Sequence, residues 1–179
     1  MRTRPFQQVD VFTATAWLAH GGVPQDPALI VASLGKALGL RPDQIRAAQH
    51  LNNGPRHFGL LLDSSATVLE LAPDWVALRA WMREVGVSGV GVAALESTAH
   101  DSPLIRRSNR EARAFANVAA AQTEPGLEVR FFFDSVVVAE DPVTGSFNAS
   151  LAQWLIADGH APKTYVASQG TCIDGNVQL

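Results

Sequence analysis

Two carboxylates, a proline, a glycine and two small hydroxyls stand together in EDPVTGSFNASLAQWL, residues 140–155, directly ahead of a mostly apolar run. Phe147, Leu151, Trp154 and Leu155 fall on one helical stripe, and Ala149, Ala152 and Ile156 fill much of the remainder. The run therefore predicts a helix buried on most sides and stopped at Gly159. A buried helix N-terminus presents unpaired N–H groups and about half a positive charge, which suits a carboxylate or a phosphate. Gly145 can take a backbone angle closed to other residues and lets a ligand come close, Thr144 or Ser146 can cap the orphan amides, and Pro142 stiffens the approach. The competing reading is a self-capped turn in which Glu140 and Asp141 supply the negative charge and no ligand is needed.

The elements that must position this loop can be followed along the chain. FQQVDVFTA predicts a first strand, and QDPALIVASLGKALGL a helix with Asp26 as cap, Pro27 at its first position and Gly39 as its stop. RPDQIRAAQ reads as another short helix and RHFGLLLD as a strand. PDWVALRAWMREVG reads as a helix with Trp75, Leu78, Met82 and Val85 on one face and Gly86 at its end. Strands follow at GVGVAAL, LEVRFFF and SVVVA, then the helix after Ser146, then strand-like pieces at TYVAS and CIDGNVQL. Several neighbouring strands are joined too closely for a helical crossover, so a mixed α+β domain is expected rather than a regular alternation. No repeat, low-complexity tract or Gly/Ser linker divides the chain.

Composition narrows the chemistry. A chain of 179 residues, 47% hydrophobic, fits one compact domain. Its apolar stretches fall short of a membrane span and its first residues lack the apolar core of a secretion signal, which predicts a soluble cytoplasmic protein. A net charge of −3 argues against a general nucleic-acid binder, and the four arginines of RRSNREAR, residues 106–113, read as a solvated helix face around Glu111. The single cysteine, Cys172, is expected to be a small buried apolar residue. His20, His50, His57, His100 and His160 lack the spacing of metal ligands and are expected at the surface or half-buried, so no metal is implied. No dinucleotide, phosphate-loop or nucleophile-elbow pattern occurs. The four tryptophans, Trp17, Trp75, Trp81 and Trp154, read as packing residues.

The loop EDPVTGS closely resembles the EDPxTGS signature of the phenazine-biosynthesis PhzF-like isomerase family. FQQVDVFTA is similar to that family's opening strand, NNGPRHFGLLL to its GP strand leading into a PD helix, EVRFFF to its EVRxF strand, and VASQG to its late QG turn. The resemblance covers most of residues 51–170 and the first dozen residues. It implies the diaminopimelate-epimerase-like fold, in which two similar α+β lobes each wrap a sheet around a central helix with the active site between them. It implies cofactor-free acid–base chemistry, as in isomerisation of trans-2,3-dihydro-3-hydroxyanthranilate. Asp141 is then the catalytic candidate, and Gly145, Ser146 and Thr144 the substrate-binding candidates at the helix mouth.

Two family features are missing. The catalytic glutamate in its ETxF context and the GHP turn at the other central helix do not occur; Glu96 in LEST and His20 in AHGG match them only by letters. The chain resembles a family member with most of the first lobe deleted, residues 1–50 being a residual strand and helices and residues 51–179 the second lobe. Two functions follow. One is an isomerase working by proton transfer on a small anionic metabolite, its cleft completed by a second copy in a homodimer. The other is a catalytically silent family remnant, or a small-anion-binding protein that keeps the lobe and has lost the base.

Overall fold

The computed structural model describes residues 10–11, 26–95, 126–173 and 177–178. Trp17, His20, Glu96, His100 and the arginine stripe at 106–113 lie outside these residues.

The order is β1 (Asp10–Val11), α1 (Pro27–Leu38), β2 (Ile45–Asn52), β3 (Arg56–Leu62), α2 (Ser65–Glu70), α3 (Trp75–Val85), β4 (Gly89–Leu95), β5 (Leu127–Phe133), α4 (Gly145–Ala157), β6 (Ala167–Gln169) and β7 (Val177–Gln178). Among the described residues, the strands form one seven-stranded sheet in sequence order. Pairing alternates: β1/β2, β3/β4 and β5/β6 are parallel, whereas β2/β3, β4/β5 and β6/β7 are antiparallel. Each parallel pair flanks a helical segment in the chain, α1, α2 with α3, or α4, as parallel neighbours require. The result is the expected mixed α+β architecture, a sheet carrying helices on both faces.

Helix boundaries follow local chemistry. Asp26 Oδ1 accepts from the Ala28 amide at 2.9 Å to open α1, and Gly39, at φ 74°, closes it. Asp74 Oδ1 accepts from Val76 and Ala77, both at 3.0 Å, to open α3, and Gly86 closes it. Leu78, Trp81, Met82 and Val85 form the buried face of α3. The Trp81 indole N–H reaches the Ile30 carbonyl at 3.2 Å and the Ser33 hydroxyl at 3.1 Å, which ties α3 to α1.

Side chains alternate along the central strands and divide the core in two. Phe58, Leu60, Val90, Val92 and Phe132 meet α1, α2 and α3 on one face. Leu61, Ala93, Val129 and Phe131 meet Phe147, Leu151, Trp154 and Leu155 of α4 on the other. A central strand covered on both faces is apolar throughout, which accounts for GVGVAAL in β4. Gly91 is required there because a Cβ would overlap the Phe147 ring, so its bare backbone lets the first turn of α4 seat on the sheet.

Four expectations change in the folded chain. RPDQIRAAQ contributes only a 3-10 turn, Pro42–Gln44, and from Ile45 the chain is strand β2. Its helix-favouring alanines are overruled by a long antiparallel ladder with β3 that fills a sheet position between β3 and β1. SVVVA is a turn rather than a strand. The Ser135 hydroxyl accepts from the Val137 and Val138 amides, both at 3.2 Å, and the chain must return within these residues to bridge Glu140 to Phe132. Helix α2, opened when Ser64 Oγ accepts from the Thr67 amide at 3.1 Å, is an additional short element. Finally, α4 is buried on one face only, with Ala149 and Gln153 exposed, because it lies against a single face of the sheet. Among the described residues, no helix is long and apolar enough to cross a membrane.

Candidate functional site

The loop between β5 and α4 is held from both faces of the sheet. Asp141 is anchored through its backbone, its amide donating to the Phe131 carbonyl at 2.9 Å. The preceding residue turns the other way. Glu140 takes both guanidinium branches of Arg130, Nε to Oε1 and Nη2 to Oε2, each at 2.7 Å. Arg130 Nη1 donates to the Leu71 carbonyl at 2.8 Å and the Val68 carbonyl at 3.2 Å, where α2 ends and its last carbonyls lack helical partners. Both ion-pair side chains are almost fully buried. Burial alone would push the Arg130 guanidinium down, but the hydrogen bonds and negative charge of Glu140 outweigh it and hold the group above its ordinary value.

Gln169 grips the loop from below. It is fully buried in β6, and every polar atom of its amide is engaged. Its Oε1 accepts from the Thr144 amide at 3.2 Å and from Asn148 Nδ2 at 2.7 Å. Its Nε2 donates to the Asp141 carbonyl at 2.9 Å and to Thr144 Oγ1 at 3.0 Å. Thr144 Oγ1 in turn donates to Asp141 Oδ2 at 2.7 Å. Asn53, in the β2–β3 hairpin, donates from Nδ2 to the Ser146 carbonyl at 2.9 Å and brings that hairpin to the helix mouth.

The sequence candidates thus occupy one place with different exposures. Asp141 and Ser146 are half-buried, Gly145 is exposed and Thr144 is buried. Thr144 stands at the cap position but its side chain makes no capping hydrogen bond, being turned to Asp141. Glu140 faces Arg130, so neither acid caps the helix, and the self-capped arrangement is not formed. Among the described residues, no side chain caps the first turn of this 13-residue helix, whose start follows Asp141 closely in the chain. Gly145 is not there for an unusual backbone angle, since it has no positive φ; a Cβ would meet nothing within 4 Å, and its contribution is open space above the amides.

Sequence reasoning missed Gln169, Arg130 and Asn53. Arg130 and Gln169 lie within the EVRFFF and VASQG stretches that resemble family motifs, but neither received a role there, because Gln169 acts on a residue 25 positions away and leaves no spacing pattern. Two further expectations are corrected. Cys172 is exposed, since it follows the Gly170 turn rather than entering the core. His57 is only 2% exposed because β3 is an interior strand; its ring packs edge-on against Phe131, and Nδ1 is buried without a hydrogen-bond partner. Among the described residues, no group of three or more His, Cys, Asp or Glu could hold a metal ion.

Burial, and secondarily the charge of His50, push the His57 imidazole below its ordinary value of 6.5. The folded chain resists a proton that the unfolded chain accepts, so this contribution to stability is complete above about pH 6.5 and declines as pH falls below it. Chemical denaturation between pH 7.5 and 5.5 should therefore show stability falling by up to about 1.4 kcal/mol per pH unit from this group. His57→Phe, which suits the surrounding rings, should flatten the slope, and an unchanged slope would place the titration elsewhere.

No protein-family model and no curated protein matches the chain. Solved structures do. A phenazine biosynthesis protein of the PhzF family from Enterococcus faecalis aligns with a TM-score of 0.54 at 21% identity, over 91% of this chain and 46% of its own. The Bacillus anthracis phenazine biosynthesis protein of the PhzF family aligns with a TM-score of 0.52 at 13% identity, over 81% of this chain and 44% of its own. The chain thus has the fold of PhzF-family proteins, diaminopimelate-epimerase-like, and spans less than half the length of the solved structures it resembles.

Proposed function

We propose that this chain is a PhzF-like acid–base protein that binds a small anionic metabolite of the dihydro-hydroxyanthranilate kind at the start of α4 and moves a proton on it without a cofactor. The observation that carries this reading is a first turn of α4 that no described side chain caps, closely preceded by a half-buried carboxylate, Asp141, on a PhzF-type fold. The uncapped amides and the helix dipole suit the substrate's carboxylate. Asp141 serves as acid and base, with Gly145 and Ser146 binding substrate. A second copy of the chain, related by a two-fold axis, completes the cleft. The two similar lobes that the family resemblance implies support that arrangement, since an isologous contact between identical chains restores their approximate two-fold relation.

A second reading, an anion-binding protein without turnover, is favoured by one observation. Among the described residues, no other carboxylate or imidazole hydrogen-bonds to Asp141.

One experiment separates the two. Anthranilate and its dihydro-3-hydroxy analogue are titrated by calorimetry, and the analogue is incubated in D2O while NMR follows deuterium at the ring carbons. The acid–base reading expects binding and deuterium incorporation, and the second reading expects binding alone. Absence of binding at millimolar ligand would remove both, and sedimentation of the same sample tests the dimer.

A further inference from the structure

Backbone atoms dictate the direction of every hydrogen bond around Gln169. The Thr144 amide is only a donor, so the Gln169 atom facing it must be Oε1. The Asp141 carbonyl is only an acceptor, so the atom facing that is Nε2. Both ends of the amide agree, and no flip satisfies them. The second Nε2 hydrogen then points at Thr144 Oγ1, which has a single hydrogen of its own, and that hydrogen lies on the 2.7 Å contact to Asp141 Oδ2. Asn148 adds to the same polarity, donating from Nδ2 to both Gln169 Oε1 and the Thr144 carbonyl, the latter at 3.0 Å.

We propose that Gln169 and Thr144 are positioning residues that keep Asp141 Oδ2 a permanent hydrogen-bond acceptor, so that proton exchange with substrate takes place at Oδ1 alone. The inference rests on the acid–base reading of Asp141. A proton on Oδ2 would face the Thr144 hydroxyl hydrogen, and that hydroxyl cannot turn away without opposing the Gln169 N–H. Oδ1 has no partner among the described residues. In the forward step a substrate C–H bond breaks, its electron pair stays on the substrate, and an O–H bond forms at Oδ1; the return step delivers that proton to the new carbon. Thr144 thus acts on Asp141 rather than on the substrate. The charged neighbours of the loop, Glu140 and Arg130, are paired with each other at the opposite face of β5, beside α2.

The test uses the full chain and the near-isosteric Thr144→Val, with Thr144→Ser as the restoring variant. In labelled wild-type protein, NMR should show a slowly exchanging Thr144 hydroxyl proton with a cross-peak to the Gln169 side-chain amide. In Thr144→Val the hydroxyl line should be lost and the Gln169 amide should exchange faster. With the dihydro-3-hydroxyanthranilate substrate, Thr144→Val should lower kcat about a hundredfold through misorientation of the carboxylate, with KM unchanged. Thr144→Ser should restore both kcat and the slow exchange of the Gln169 amide. A hydroxyl proton exchanging as fast as bulk water, or Thr144→Val with wild-type kcat, would overturn the proposal. If the wild-type chain turns over no substrate, the acid–base reading falls and exchange at Oδ1 falls with it. The NMR arm then still decides whether Thr144 and Gln169 lock Oδ2.

Discussion

Arg130→Met should lower the unfolding free energy by about 3–5 kcal/mol, as expected when one partner of a buried ion pair is removed. The substitution leaves the Glu140 carboxylate, only 13% exposed, without its two charge-assisted bonds, and it frees the Val68 and Leu71 carbonyls at the end of α2. Urea denaturation measures the effect. Glu140→Gln should be milder, because its amide oxygen still accepts one guanidinium bond. Arg130→Met combined with Glu140→Leu should recover part of the loss, since no unpaired charge then remains buried, although the α2 carbonyls stay unsatisfied. If Arg130→Met costs less than about 1 kcal/mol, within the range of exposed pairs, the pair is effectively solvated and does not anchor the loop.

Asp141→Asn should lower kcat by about a hundredfold to ten-thousandfold, the usual contribution of a positioned acid–base group. The asparagine oxygen can take the place of Oδ2 and go on accepting from Thr144, while the position of Oδ1 passes to an NH2 group that cannot accept a proton. Folding should therefore change by less than about 1 kcal/mol, which separates lost chemistry from lost structure. Single-turnover rates and circular dichroism on the same preparation supply the two readouts. A variant that keeps the wild-type rate would remove Asp141 as the proton carrier, and one that loses both rate and fold would assign the carboxylate a structural role.

The sequence by itself determined what short-range chemistry controls. The Asp26 and Asp74 caps, the Gly39 and Gly86 stops, the apolar face of α3 and the strands β3, β4 and β5 all follow from residues within a few positions of one another. The same holds for the start of α4 after the acidic turn, and the EDPVTGS loop was legible as the candidate site for that reason. Where local preference and pairing disagreed, pairing prevailed. Ala47 and Ala48 joined a strand because β1 and β3 flank them, and three valines at 136–138 went into a turn because Glu140 had to reach Phe132 and Arg130.

Only the tertiary structure decided what the loop residues do. Glu140 and Asp141 are adjacent and chemically alike, yet one closes a buried ion pair on the α2 side of the sheet and the other stands at the mouth of α4. Thr144 reads as a cap from its position but turns to Asp141, and the residue that sets this orientation is Gln169, 25 positions away. The physical reason is that a hydrogen bond's direction depends on which donors and acceptors the fold brings to the site, and those arrive from strands that are neighbours in the sheet rather than in the chain.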